Sequence, residues 1–79
     1  MNNNKVLNTW EVVHDADLDD GTPTMWSIKV KTEERKEIYY WICLVHDGTY
    51  NVELNDGETV LKNCKSLTSA KRWVTMNLL

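Results

Sequence analysis

Eight consecutive apolar or aromatic residues, Ile38 to Val45, constrain the fold of this chain more than any other feature. Successive side chains of a β-strand point to opposite faces of its sheet, so a strand of this composition needs cover on both faces. The pair Asp47-Gly48 follows the run, and Asp-Gly between two strand-like segments favours a hairpin turn. The run is therefore predicted to be an inner strand of an antiparallel sheet.

Further strands are predicted on both sides of this run. Residues 25–32 and 50–54 alternate apolar with polar side chains, which is the period-two pattern of strands with one solvated face. The pair Asp56-Gly57 predicts a turn into another strand at 59–61, and 10–14 has the composition of a first strand. The sequence thus predicts an antiparallel meander sheet of three to five strands.

One helix is predicted over residues 66–79. Ser66 suits the N-cap position, because its hydroxyl can accept a hydrogen bond from a main-chain N–H of the first turn. Apolar residues at spacings of three and four then form one stripe: Leu67, Ala70, Val74 and Leu78. A helix of this length is marginal in isolation, so its stripe is expected to pack on the sheet. The chain is predicted to be a single α+β domain over 10–79, preceded by a flexible arm at 1–9.

The alternation assigns the strand side chains to two faces of the sheet. The face predicted to lie against the helix carries Trp26, Ile28, Val30, Tyr40, Ile42, Leu44, Tyr50, Val52 and Leu54. The opposite face is predicted to carry Lys29, Lys31, Tyr39, Trp41, Cys43, Asn51 and Glu53. Aromatic side chains exposed among polar ones indicate a recognition surface. Three outcomes are open for this face: it binds a partner, it is covered by Trp10, Val12 or the N-terminal arm, or it forms a homodimer.

Charge is distributed unevenly along the 79 residues, whose net charge is −3. Residues 1–24 hold one lysine and five acidic residues, whereas 59–79 hold no acidic residue and four basic ones: Lys62, Lys65, Lys71 and Arg72. An acidic front and a basic tail can steer two kinds of partner or attract each other. Domains that bind nucleic acid non-specifically usually carry net positive charge, so the total charge disfavours that class.

Two patterns resemble metal sites. The loop at 15–23 begins like a calcium-binding loop, but Asp20 stands where glycine is required and Trp26 where glutamate is required. Aspartates that hydrogen-bond the turn backbone are the alternative interpretation. Cys43 and His46 have zinc-ligand spacing, which His14 and Cys64 would complete, yet residues three apart in a strand point to opposite faces.

No catalytic residue is predicted. The two histidines, His14 and His46, belong to no recognisable nucleophile motif, and three glycines do not form a phosphate-binding loop. We therefore expect a protein that is not an enzyme and has neither a cofactor nor a bound metal.

A cytoplasmic location is expected. No run of about twenty apolar residues is present, and the N-terminus lacks the apolar core of a secretory signal. Cys43 and Cys64 are too few for the disulfide framework of a small secreted domain. We expect both thiols to be reduced, with a Cys43–Cys64 bridge as the alternative.

The first functional hypothesis is a non-catalytic protein-binding module that docks through Tyr39, Trp41, Lys29 and Lys31, or through the acidic segment 11–20. Small acidic proteins of this composition are common among phage and mobile-element products that act as adaptors or inhibitors. The partner on this hypothesis is another protein of unknown identity, and not a membrane.

The second hypothesis is nucleic-acid binding. The predicted topology of 25–79, a three-stranded sheet backed by a C-terminal helix, resembles the arm-type DNA-binding domain of tyrosine integrases. That resemblance implies that the open sheet face reads DNA. Lys29 and Lys31 would then contact phosphates while Tyr39 and Trp41 stack on bases. The basic helix end, with Lys62, Lys65, Lys71 and Arg72, is the other candidate surface.

Overall fold

A computed structural model describes residues 10–31, 37–56 and 58–79. Within these ranges it contains five strands and one α-helix: β1 (Trp10–Val12), β2 (Met25–Lys31), β3 (Glu37–Leu44), β4 (Tyr50–Glu53), β5 (Val60–Cys64) and α1 (Leu67–Asn77). The predicted arm at 1–9, residues 32–36 between β2 and β3, and Gly57 of the second Asp-Gly pair lie outside the described residues.

The five strands form one antiparallel sheet in the order β1-β2-β3-β4-β5, so each strand pairs with its neighbours in sequence. This confirms the predicted α+β fold, a meander sheet packed on one C-terminal helix. β3, the strand that is apolar on both faces, lies in the middle of the sheet. An inner strand has a flanking strand on each side, so its side chains have cross-strand neighbours from two strands, which suits a strand with apolar residues on both faces.

The core lies where α1 packs against one face of the sheet and contacts β3, β4 and β5. Ala70 and Val74 of the helix stripe are fully buried, as are Ile42 and Val52, a directly opposed pair of β3 and β4. Burial of the three larger side chains, Val74, Ile42 and Val52, contributes about 1.5–3 kcal/mol each to stability. Met76, on the opposite side of the helix, is 76% exposed, which agrees with the predicted orientation of α1.

β1 and β2 extend the same apolar face beyond the helix contacts. The register places Trp10 opposite Ile28 and Val12 opposite Trp26, and both β1 side chains pack against the core. Trp26 also contacts Tyr50, with ring centroids 5.9 Å apart and the ring planes inclined by 57°. Packing between aromatic side chains therefore extends the core along the sheet, beyond the strands on which α1 packs.

The turn between β3 and β4 depends on the predicted Asp47-Gly48 pair. Gly48 adopts a φ of +90°, a region that side-chain-bearing residues rarely enter, and its N–H donates to the carbonyl of Val45. The Asp47 carboxylate accepts hydrogen bonds from the main-chain N–H and the hydroxyl of Thr49. These two bonds, chiefly the one from the Thr49 hydroxyl, lower the pKa of Asp47 below its ordinary value.

β1 is shorter than predicted. It ends at Val12, and a single turn of 3-10 helix covers His14–Ala16. The N–H of Asp17 donates to the carbonyl of His14, and the Asp17 carboxylate lies 2.9 Å from the imidazole of His14. The carbonyl of His14 therefore accepts its hydrogen bond within this turn, and the strand ends before His14.

β5 is longer than predicted, because it begins at Val60 and continues to Cys64. Val52 pairs with Lys62 and Glu53 pairs with Val60, which leaves Leu61 as the extra residue of a β-bulge. The polar residues Lys62 and Asn63 break the period-two pattern at the bulge. For this reason the alternation could not reveal the full length of the strand.

The start of α1 follows the prediction. Ser66 has extended backbone angles, and its hydroxyl oxygen accepts a hydrogen bond of 3.0 Å from the N–H of Ser69. This bond satisfies one of the main-chain donors that the first helical turn leaves without an intrahelical partner. Among the described residues, no helix is long and apolar enough to cross a membrane.

Replacing Ser66 with alanine removes this cap, and we expect the free energy of unfolding to fall by about 1 kcal/mol. Urea unfolding followed by circular dichroism measures the change. Thr68→Ala is the matched control, since Thr68 is exposed in the same turn, and it should change stability by less than about 0.5 kcal/mol. Equal losses in the two variants would contradict a capping role for Ser66.

Candidate partner-binding face of the sheet

The sheet face opposite α1 is the candidate site, and we call it the open face. The strand register sets one residue of each strand in a row across its middle: Glu11, Ser27, Trp41, Glu53 and Val60. The adjoining rows hold Lys31 with Glu37, Lys29 with Tyr39, and Met25 with Cys43, Asn51 and Asn63. All seven residues that the alternation predicted for this face therefore lie on it together.

Trp10 and Val12 do not cover the open face. They are opposed in register to Ile28 and Trp26, which belong to the helix-facing side of the sheet. Of the three outcomes left open for this face, cover by Trp10 or Val12 is wrong, because β1 adds to the apolar face already formed by β2. The other proposed cover, the arm at 1–9, lies outside the described residues.

Tyr39 and Trp41 form the centre of the open face. They occupy successive same-face positions of β3, and their rings stack with centroids 5.8 Å apart and planes inclined by 20°. Tyr39 is 36% exposed, whereas Trp41 is half-buried. The stacked pair forms a rigid apolar surface, because each ring restricts the rotation of the other.

The indole of Trp41 is held by packing alone. Its direct cross-strand neighbour, Ser27, is the one buried polar residue in the described part of the chain, with 8% exposure. The Nε1 atom of Trp41 is also buried and has no hydrogen-bond partner. A buried donor without an acceptor lowers the stability of the fold by about 1–3 kcal/mol. The packing of the indole against its neighbours offsets this cost.

The main-chain N–H of Tyr39 has a hydrogen-bond partner just beyond the end of β4. It donates to the side-chain carbonyl of Asn55, over 2.9 Å, at the position where β4 has ended. Asn55 thereby extends the β3–β4 hydrogen bonding by one step. Sequence reasoning did not identify this contact, since an asparagine beside an Asp-Gly pair is first interpreted as a turn residue.

Charges on the open face nearly balance. Lys29 forms an exposed ion pair with Glu37, at 3.8 Å between Nζ and Oε2, and Lys31 is directly opposite Glu37 in register. Glu11 and Glu53 lie on the central row. The predicted lysines are thus brought beside Tyr39 and Trp41, but the described acidic residues of this face outnumber them by one.

A polar cluster borders the aromatic pair on the β5 side. The side-chain amide of Asn63 donates to the hydroxyl of Thr49, over 2.9 Å, and to the amide oxygen of Asn51, over 2.8 Å. Asn51 and Asn63 are direct cross-strand neighbours, which explains the contact. Asn63 was not predicted as part of this face, because the sequence pattern placed the end of β5 before it.

Cys43 lies half-buried in the row next to Trp41. Burial, together with the nearby Glu53 carboxylate, raises the pKa of its thiol from 9.0 to about 12. The thiol therefore stays protonated at neutral pH and is a poor nucleophile. Both cysteines are free, as predicted, and they lie on opposite faces of the sheet because Cys64 belongs to the core.

The residues of the two metal patterns are not brought together as ligand sets. Cys43 and Cys64 are separated by the sheet, and His14 contacts Asp17. In the loop at 15–23, the Asp20 carboxylate accepts a hydrogen bond from the N–H of Thr22, as expected for an acidic turn. No group of three or more potential metal ligands occurs in the part of the chain that the structure describes.

Two of the four basic residues of the C-terminal segment lie at the edge of the sheet opposite β1, and the other two are on the helix. Lys62 is in β5, Lys65 follows β5 directly, and Lys71 and Arg72 are on α1, which contacts β5. None of them forms an ion pair within the described ranges. Four strand spacings, about 19 Å, separate β5 from the acidic segment at β1, too far for direct ion pairs between them.

Comparisons with protein-family models, curated proteins and solved structures found no match for this chain. The function of the chain is therefore inferred from the geometry of the open face and the distribution of charge.

The raised pKa of Cys43 predicts slow alkylation of the folded protein. In a Cys64→Ala background, iodoacetamide at about pH 9 should modify Cys43 at least tenfold more slowly in the native state than in urea. Glu53→Gln should accelerate the native reaction, because it removes a negative charge that disfavours the thiolate. Mass spectrometry measures the rates, and equal rates in native and unfolded protein would contradict the placement of Cys43.

Proposed function

We propose that this chain is a non-catalytic protein-binding module that docks a partner protein on its open face. In the cell it would act as an adaptor or an inhibitor, the role suggested by its small size and acidic composition. The observation that carries the proposal is the stacked Tyr39–Trp41 pair at the middle of a sheet face opposite to the one on which α1 packs.

The aromatic pair has the properties of a binding hot spot. Tryptophan and tyrosine contribute most often to the affinity of protein interfaces, and such residues cluster near the interface centre. Trp41 lies on the central strand and in the central row of the face. Because stacking already fixes both rings, a partner that contacts them loses little further side-chain entropy on binding.

The surroundings of the pair also favour a protein partner. Lys29, Lys31, Glu11, Glu37 and Glu53 form a mixed rim around the aromatic centre. An apolar centre with a polar rim of both signs is the usual arrangement of a protein–protein interface. A phosphate backbone, by contrast, requires an excess of positive charge, which this face lacks.

Trp41→Ala tests the proposal through affinity capture from cells of the source organism, with partners quantified by mass spectrometry. We expect at least one protein to be retained by the wild type and lost with Trp41→Ala. Met76→Ala is the matched control, since it removes a large exposed side chain from α1, on the other side of the molecule. It should retain the same partner, and circular dichroism verifies that both variants are folded.

The proposal fails if Trp41→Ala and Met76→Ala capture the same proteins as the wild type. Tyr39→Ala distinguishes the stacked pair from the indole alone. If the pair acts as one surface, Tyr39→Ala should weaken capture of the same partner, because Trp41 loses the ring that orients it.

Nucleic-acid binding is the second candidate, and the uncompensated basic residues at β5 and α1 favour it. Labelled single- and double-stranded oligonucleotides, titrated at about 50 and 200 mM salt, separate the two candidates, since phosphate binding weakens by orders of magnitude across this range. On the protein-binding proposal, neither oligonucleotide binds at the lower salt concentration. Salt-sensitive binding that is lost in a Lys71→Gln/Arg72→Gln variant would instead assign the basic segment to nucleic acid.

A further inference from the structure

The outer edge of β5 is a second candidate interaction surface. β5 pairs with β4 on one side, and no strand in the described residues pairs with its other side. In an antiparallel edge strand, alternate residues direct their main-chain N–H and C=O groups away from the sheet. Such groups can pair with an added strand, which is how many proteins capture an extended peptide.

Residues 59–79, which include β5, carry only positive charges, and the acidic Glu58 lies just before them. Lys62 is opposed to Val52 in register, so it belongs to the helix-packed side of the sheet, and Lys65 lies between β5 and α1. Lys62, Lys65 and Arg72 are exposed, and Lys71 is half-buried on the helix that contacts β5. An acidic segment lying along β5 would meet Lys62 and Lys65 while its backbone pairs with the edge.

We propose that the β5 edge binds an extended, acidic segment of a partner protein as a sixth strand of the sheet. The regular part of the edge is short, because the bulge at Leu61 interrupts the ladder before Lys62. Asn63 keeps its side chain on the open face through its bonds to Asn51 and Thr49, so this side chain does not fold over the edge. Main-chain pairing fixes the register, and the lysines select the acidic sequence.

The same charges disfavour the competing occupants. Two copies of this chain that paired β5 with β5 would bring Lys62 and Lys65 of both copies together, and lysines on an edge strand commonly prevent such pairing. An acidic peptide satisfies both the lysines and the unpaired main-chain groups of β5, whereas a nucleic acid satisfies only the lysines.

The test uses the full chain and a short fluorescein-labelled peptide of alternating glutamate and threonine, with fluorescence anisotropy as the readout. We expect this peptide to bind and its lysine–threonine analogue not to bind. Two further peptides carry N-methyl groups on the amides of all threonines or of all glutamates. Only alternate amides of an added strand face β5, so one methylated peptide should bind about tenfold more weakly while the other retains affinity.

Protein variants locate the site. Lys62→Gln/Lys65→Gln should weaken the acidic peptide about tenfold, since each exposed ion pair contributes modestly. Lys29→Gln/Lys31→Gln removes the same charge from β2 and should leave binding unchanged. Trp41→Ala should also bind the peptide normally, so a failure here is distinguishable from a failure of the open-face proposal.

Several results would overturn the β5 assignment. Equal affinity for both methylated peptides would show binding by charge alone, and full competition by a single-stranded oligonucleotide would indicate a phosphate surface. If the two double-lysine variants lost the same affinity for the acidic peptide, the binding site would not lie at β5. Salt-sensitive self-association in sedimentation velocity, abolished by Lys62→Gln/Lys65→Gln, would make a second copy of this chain the occupant.

Discussion

The packing of α1 against the paired strands β3 and β4 is the contact on which the rest of the structure depends. Ala70 and Val74 meet the sheet over Ile42 and Val52, and all four are fully buried. A chain of 79 residues has too little apolar material for a second core, so the helix covers only one side of the sheet. The two faces thereby acquire different roles.

The open face follows from the composition of β3. This strand is apolar on both sides, yet α1 packs against only one of them. On the other side Tyr39 and Trp41 bury part of their surface against each other, and Trp41 covers the space beside Ser27. Part of their aromatic surface remains exposed to solvent, and the Nε1 of Trp41 has no hydrogen-bond partner within the described residues.

Sequential strand order separates the charged segments of the chain. In a meander the first and last strands become the two edges of the sheet. The acidic segment near β1 and the basic residues near β5 therefore lie at opposite edges. At physiological ionic strength their separation, about 19 Å, exceeds the Debye length of about 8 Å. Each charged edge therefore acts independently on whatever approaches it, and the open face lies between them.

Local patterns in the sequence determined the strands, their two faces, the Asp47-Gly48 turn and the N-cap at Ser66. Each of these is fixed by residues only a few positions apart, through side-chain alternation or a single capping bond. The tertiary structure alone decided that Trp10 joins the apolar face, that β5 continues past a bulge, and that Asn63 contacts Asn51 across the ladder. Strand pairing joins main-chain groups of separate segments, and these groups are nearly the same from residue to residue, so the sequence of one segment does not show which residues of another lie opposite.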